Sequence, residues 1–348
     1  GMTRASEDAE LKPLDTRGGY SAAFSAWVMT TALAKLAGGR ISGRLKGVHV
    51  NMAERLSLFR KGTIIAACRA LGVPVVLHLH AAQLHHYYRS LPGPLKAMTR
   101  RFFAIADHVV VLGHTAQGFV VNELGLPLEK VEIVINGVPP PSMGRRVRMK
   151  GTPYRIYFLG NLMERKGVSD LLRAIAEAKF PAGAVETHFA GGGDIAAYEA
   201  LAQDLGIAKS VHFVGWADQA KAARLMADAD VLVLPSYDEG LPLVILEALA
   251  NGVAVICTPV GEIPSVLTDG DTAAFVKPGD VPGIAACLHK VLDDDATREK
   301  LERNGRALYE RAFSMSRFFA NVAQIHKTHF GFSAPPAASS SELRRAHA

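Results

Sequence analysis

The sequence predicts an α/β protein of two domains, each built on a doubly wound parallel sheet. Three observations carry this. Across residues 151–313, short β-rich runs alternate with helical runs, the rhythm of strand–helix–strand crossovers. Residues 139–150, PPPSMGRRVRMK, interrupt with prolines, a glycine and a basic run, and read as the boundary between two halves. At 348 residues the chain has room for two domains of ordinary size. The expected organisation is a first domain over 1–150, a second over 151–313 and a helix over 314–330 that returns to the first. An Ala/Ser/Pro-rich tail over 331–348 reads as disordered.

Residues 1–15 show no periodicity. Residues 16–20, TRGGY, open a helical run to about Ala37. Gly18 and Gly19 at a helix start let a phosphate approach the backbone, although an ordinary turn explains the dipeptide better when it is taken alone. Residues 38–46 are polar and glycine-rich and read as a loop; 48–50 form a short strand and 53–71 a helix. The run VPVVLHLH at 73–80 is a second strand with His80 at its carboxyl end, where open α/β sheets collect ligands. His78, His85 and His86 lie close in sequence and raise the question of a metal. Alternate strand residues point to opposite faces and no carboxylate or cysteine completes a ligand set, so one core-packed and one open histidine is the better reading. Further strands follow at 107–112 and 131–135, with a helix to Leu124 between them.

The second half is more regular. Strands are expected at 154–159, 187–190, 211–214, 230–234 and 253–257, with helices at 168–178, to Leu205, at 217–227, at 281–292 and at 314–329. The first strand leads into GNLMERKG at 160–167, whose Arg165 and Lys166 could neutralise a diphosphate, although such a pair is common in exposed turns. The second leads into Gly191, Gly192 and Gly193, which do not make a GxGxxG fingerprint and so count against an ordinary NAD-dependent dehydrogenase.

Residues 235–252, PSYDEGLPLVILEALANG, are the most informative stretch. Pro242 suits the first helical position and Gly252 the left-handed position past the helix end. Between Gly240 and Ala250 the only ionisable side chain is Glu247, a lone carboxylate on an otherwise apolar cylinder. Glu239 precedes the helix, where unbonded backbone N–H groups attract anions. Two carboxylates beside a phosphate pocket suit the hydroxyls of a sugar nucleotide.

Charge is unevenly placed. Residues 1–150 carry 20 Lys/Arg against 9 Asp/Glu and the remainder 19 against 24, within a net +6. A basic first half fits either a solvated surface or a face for anionic lipid or a phosphorylated acceptor. No nucleic-acid-binding motif accompanies the charge. Cys68, Cys257 and Cys287 are widely spaced and form no CxxC pair, which with the polar first fifteen residues makes a cytoplasmic protein the expectation. No apolar run reaches transmembrane length.

Together these features resemble the GT4 family of retaining, nucleotide-sugar-dependent glycosyltransferases with the GT-B fold, from about Thr16 to Phe330. The specific motif is Glu239 with seven residues before Glu247, in SYDEGLPLVILEALANGVAVICT. Supporting it are RKGV at 165–168, AGGG at 190–193, VGW at 214–216, INGV at 135–138, Gly18-Gly19 and His80. The first half is most similar to bacterial enzymes of exopolysaccharide and surface-glycan synthesis.

The resemblance implies two Rossmann-like domains facing a cleft. Transfer would run from a UDP- or GDP-sugar to a glycan or lipid-linked acceptor, with no metal and no cofactor. Glu247 would hold ribose hydroxyls and Glu239 those of the transferred sugar. Arg165, Lys166 and the N–H groups of Gly240, Leu241 and Leu243 would hold the diphosphate, with Gly191, Gly192, Gly18 and Gly19 approaching it. His80 would stand near the reacting face, with Glu239, Lys166 and Arg165 in the chemistry. Trp216 is a candidate base-side contact, against the blander role of packing in its loop. The setting would be the inner membrane face.

Asn161 stands where the family has Arg, Ser265 where Glu is common and Gly113 where Ser is usual. The first domain reads as shortened, since no strand precedes Gly18. That opens the alternative of a non-catalytic sugar-nucleotide-binding protein; a third reading, a nucleotide-dependent oxidoreductase, predicts tight NAD(P) binding.

Overall fold

The computed structural model describes residues 11–16, 21–53, 56–80 and 84–331. The chain divides into two units, Gly1–Ile135 with Ser316–Ala348, and Asn136–Met315. Gly18, Gly19 and residues 332–348 of the tail lie outside the described residues.

The first unit runs α1 (Ala22–Ile41), β1 (Val48–Met52), α2 (Leu56–Ala70), β2 (Val75–Leu79), α3 (Leu84–Ser90), α4 (Gly93–Ala104), β3 (His108–Val111), α5 (His114–Gly118, continued as a π-helical turn to Glu123) and β4 (Val131–Ile133). The strands form a parallel sheet in the order β1-β2-β3-β4. One sheet face carries Val50, Met52, Leu77, Leu79, Val109 and Val111 into a core shared with Leu58, Ile65 and Phe103 from the helices. The opposite face is polar. It carries His49 and Asn51 from β1, His78 from β2 and His108 from β3, because residues two apart share a face.

One expectation fails here. Residues 38–41 belong to α1 rather than to a loop. Glycine signals a break, but Gly39 lies against Leu45, where an added Cβ would come within 3.2 Å of its Cβ, and Arg40 Nε donates to Leu71 O at 3.0 Å. Tertiary packing overrides helix propensity.

The second unit runs β5 (Tyr154–Leu159), α6 (Val168–Ala178), β6 (Val185–Ala190), α7 (Ile195–Asp204), β7 (Val211–Gly215), α8 (Gln219–Asp228), β8 (Val231–Leu234), α9 (Leu243–Asn251), β9 (Ala254–Cys257), α10 (Ile263–Val266), β10 (Ala274–Phe275), α11 (Val281–Asp293) and α12 (Asp295–Leu308). The final helix, α13 (Met315–Phe330), belongs almost wholly to the first unit. The six strands pair in the order β10-β9-β8-β5-β6-β7, all parallel. From β5 the chain builds outward to β7, then returns to lay β8 on the other side of β5. That reversal is a topological switch point, the usual ligand crevice of such sheets.

The basic stretch before β5 is tied down. Arg145 donates to Gly252 O at 2.5 Å and pairs with Glu302 at 2.8 Å, and Arg146 pairs with the buried Asp230 at 2.6 Å. Asp228 bonds Arg155 and, at 2.8 Å, the Tyr157 hydroxyl. These aspartates therefore serve the sheet's amino end. Among the described residues no helix is long and apolar enough to cross a membrane.

Candidate functional site at the sheet switch point

The loops after β5 and β8 flank the switch point and touch each other. Tyr237 N donates to Arg165 O at 2.9 Å. Gly167, at φ +71°, is the left-handed residue before α6, and an added Cβ would stand 2.2 Å from Pro235 O. Only glycine permits that approach.

Through this contact Lys166 reaches Glu239: Nζ forms an ion pair with Oε1 while both side chains are largely buried, 16% and 8% exposed. Ser236 Oγ donates to the same oxygen at 2.8 Å. Both contacts fall on Oε1. Arg165 bonds the backbone oxygen of Asp238 and is more open. The loop is braced from behind, since Glu262 N donates to Gly240 O at 3.1 Å and a Cβ on Gly261 would fall 1.9 Å from Glu239 O. Tyr237 OH donates to Asp170 Oδ2 at 2.8 Å, which raises the phenol's pKa.

Gly240, Leu241 and Leu243 lead into α9, whose first turn carries no side-chain cap bond. Ile245, Leu246, Ala248, Leu249 and Ala250 are buried, which accounts for the apolar sequence of this helix. Glu247 is half-buried, and desolvation raises its pKa.

The glycine triplet divides by function. A Cβ on Gly191 would stand 1.8 Å from Gly160 O and one on Gly193 2.2 Å from Leu162 O, whereas one on Gly192 would meet nothing within 4 Å. The packing of the 160–167 loop thus requires the outer two, and only Gly192 borders open space. Of the two roles open to Trp216, base-side contact or packing in its loop, the packing role fails: the side chain is 73% exposed.

In the first unit His80 follows β2 directly. It is half-buried, its Nε2 lies 3.1 Å from Asn51 Oδ1, and burial lowers its pKa. His78 is fully buried, but it lies on the same sheet face as His80, because residues two apart share a face, and the two ring centroids are 4.1 Å apart; the expected opposition of one core-packed and one open histidine therefore fails. Among the described residues no group of three or more His, Cys, Asp or Glu side chains is placed to hold a metal ion. Ser236, Tyr237, Asp170 and Gly261 escaped the sequence reading. The position of Ser236 directly after a buried strand was the one available signal.

The chain is similar in sequence and fold to known glycosyltransferases. Residues 144–308 match the family model for group 1 glycosyl transferases and residues 48–140 that for Glycosyltransferase Family 4. Glycogen synthase of Mycobacterium tuberculosis is 26% identical over 273 residues, 75% of this chain and 65% of that protein. D-inositol 3-phosphate glycosyltransferase of Corynebacterium diphtheriae is 36% identical over 151 residues, 41% of this chain and 35% of the relative. The chain therefore spans less than two thirds of the length of either relative. Anabaena HepE, crystallised with UDP and glucose, superposes with a TM-score of 0.70 at 15% identity, over 90% of this chain and 84% of that one. Sucrose-phosphate synthase from Thermosynechococcus elongatus gives 0.66 at 20% identity, over 88% and 80%. At such identities the likeness speaks for the fold. With one family model in each half, the chain is similar to group 1 and Family 4 glycosyltransferases, and it carries the GT-B fold.

Proposed function

We propose that this chain is a retaining, metal-independent glycosyltransferase that moves a sugar from a UDP- or GDP-sugar to a glycan or lipid-linked acceptor, in surface-glycan synthesis. The observation that carries the reading is the meeting of Lys166 and Glu239 at the switch point of the second sheet. A buried cation and carboxylate at such a crevice, beside an uncapped helix N-terminus, suit a ligand with a diphosphate at one end and hydroxyls at the other.

In this reading Glu239 holds the transferred sugar and Glu247 the ribose. Lys166, Arg165 and the N–H groups of Gly240, Leu241 and Leu243 take the diphosphate. Gly192 leaves room beside it, and the open Trp216 ring is the base-side surface. Transfer through an oxocarbenium-like state drives negative charge onto the departing diphosphate, and preorganised cations and amides stabilise that charge. Lys166 and Arg165 supply positive charge where other enzymes use a metal. The UDP and glucose held by Anabaena HepE support a nucleotide-sugar donor. The acceptor falls to the first unit, whose basic balance suits a phosphorylated lipid carrier at a membrane face.

Isothermal calorimetry with UDP-, GDP- and ADP-sugars tests this, followed by turnover on lipid-linked acceptors. A UDP- or GDP-sugar binds and is consumed. Donor binding with neither hydrolysis nor transfer would favour the non-catalytic reading. Tight NAD(P) binding without sugar-nucleotide binding would sink both.

A further inference from the structure

The polar face of the first sheet is covered by the last helix, and the layer between them is built from histidines. His326 on α13 reaches His49 on β1, with Nε2 to Nδ1 at 2.8 Å. His49 Nε2 lies 3.2 Å from His78 Nδ1. The His78 ring stacks against His80, with centroids 4.1 Å apart, and Phe318 of α13 lies 6.1 Å from it on the helix side. His80 in turn meets Asn51. All of these residues belong to one unit. Helix spacing explains why α13 supplies both contacts, because Phe318, Val322, Ile325 and His326 form its one buried stripe.

The chemistry of this chain is restrictive. A neutral imidazole offers one N–H and one lone pair, so each link needs one donor and one acceptor, and the protons must run in series. His78 Nε2 is buried without a partner, and a stranded lone pair costs less there than a stranded N–H. His78 therefore donates from Nδ1 to His49, and His49 donates from Nδ1 to His326. Fixing one ring fixes the tautomer of the next. The titratable groups that face the rings are themselves imidazoles. His49 and Asn51 come from β1, His78 and His80 from β2 and His326 from α13. On β3 the register partner of His78 is Val110, and His108 pairs separately with Glu132 and stacks on His329 of α13. Burial and mutual repulsion push His49 down to about 3, burial pushes His326 down to about 4, and His78 falls further still.

We propose that His326 is a positioning residue for His80: it orients His49, His49 orients His78, and the His78 ring is the surface on which His80 rests at the end of β2. Docking of the last helix and the orientation of His80 are then one event. The consequence for catalysis rests on the reading of His80 as a group near the transferred sugar; the coupling itself does not.

Hydrogen–deuterium exchange at the imidazole Cε1 position, mapped by mass spectrometry on the full chain between pH 5 and 9, tests it. The exchange plateau scales with the imidazolium fraction and with access, so His80 exchanges about tenfold more slowly than the exposed His86 for each unit by which its pKa is lowered. In His326→Phe, which keeps an aromatic but cuts the chain, the His80 plateau rises several-fold and its pH midpoint moves. His326→Gln, which restores a polar partner, returns both toward the native values. Loss of helix packing alone would also raise the midpoint by exposing His80, so it is the return in His326→Gln, which restores the polar link but not the aromatic packing, that identifies the coupling. An unchanged His80 profile in a folded His326→Phe protein would overturn the proposal. Should that variant not fold, native His80 exchanging as fast as His86 would overturn it equally. Donor calorimetry on the same samples is a separate readout, so loss of the glycosyltransferase reading would leave the exchange result standing.

Discussion

The two sheets of this protein are both parallel and both buried, yet they carry opposite electrostatics. The second presents ion pairs: Lys166 with Glu239 at its carboxyl end, and Arg146 and Arg155 with Asp228 and Asp230 at its amino end. The first presents a face of neutral imidazoles, His49, His78 and His80, under His326. Burying a charge with its partner stabilises the charged form, whereas burying an imidazole among imidazoles stabilises the neutral one. One unit is therefore conditioned by the presence of charge and the other by its absence.

The largest expected effect of that contrast is in acid. An unfolded histidine binds its proton near pH 6.5, while His326 resists until about 4 and His49 until about 3. Between those values the unfolded chain holds more protons than the folded one, so the stability these groups contribute is full above pH 6.5 and is lost as pH falls toward 4. At pH 5 each such imidazole costs about 2 kcal/mol. In the second unit the histidines oppose each other, since burial lowers His188 while bonds to Ala178 O and Asp293 raise His289. Amide exchange at pH 7 and pH 5 should show β1, β2 and α13 losing protection while β5, β6 and β8 keep it. Uniform loss across both units would break the comparison.

The next effect is at the ion pair. Lys166→Ala removes the partner of a carboxylate only 8% exposed, and should destabilise the second unit by about 3 kcal/mol. Transfer should fall by roughly two to three orders of magnitude, as for loss of one charge-stabilising donor. Glu239→Gln keeps the shape and should lose transfer with a smaller change in melting temperature. Undiminished turnover in both variants would remove Glu239 and Lys166 from the site.

Much of the second unit was legible because its signals are local. The expected bounds of β5 and α6, 154–159 and 168–178, agree with the structure residue for residue, since buried parallel strands give unbroken apolar runs and glycines end them. Glu247 stands out as a lone carboxylate on an apolar helix for the same reason, and Glu239 by its place just before the start of that helix. Non-local features gave no such signal. His49 meets a residue 277 positions away, and nothing near His326 announces it. The continuation of α1 through Gly38 and Gly39 depends on Leu45 and Leu71, and the buried stripe of the polar helix α12 includes Arg298 and Gly305, leaving Leu301 and Leu308 as its large apolar residues.

The smallest effect separates packing from ligand contact inside one motif. Gly191 and Gly192 are neighbours of identical chemistry, and family resemblance gives both to the donor. The structure treats them differently. A Cβ on Gly191 meets a carbonyl oxygen of the adjoining strand end at 1.8 Å, and backbone cannot swing aside as a side-chain tip would. Gly191→Ala should therefore cost about 3 kcal/mol, read as a lower melting temperature with or without donor. Gly192→Ala adds a methyl to open space and should leave the apo melting temperature within about 1 kcal/mol of native. If donor occupies that space, the methyl weakens binding, and the stabilisation normally gained on adding UDP- or GDP-sugar shrinks in this variant alone. Equal donor-induced stabilisation in Gly192→Ala and the native chain would mean that the triplet serves the fold only, leaving the diphosphate to Lys166, Arg165 and the first turn of α9.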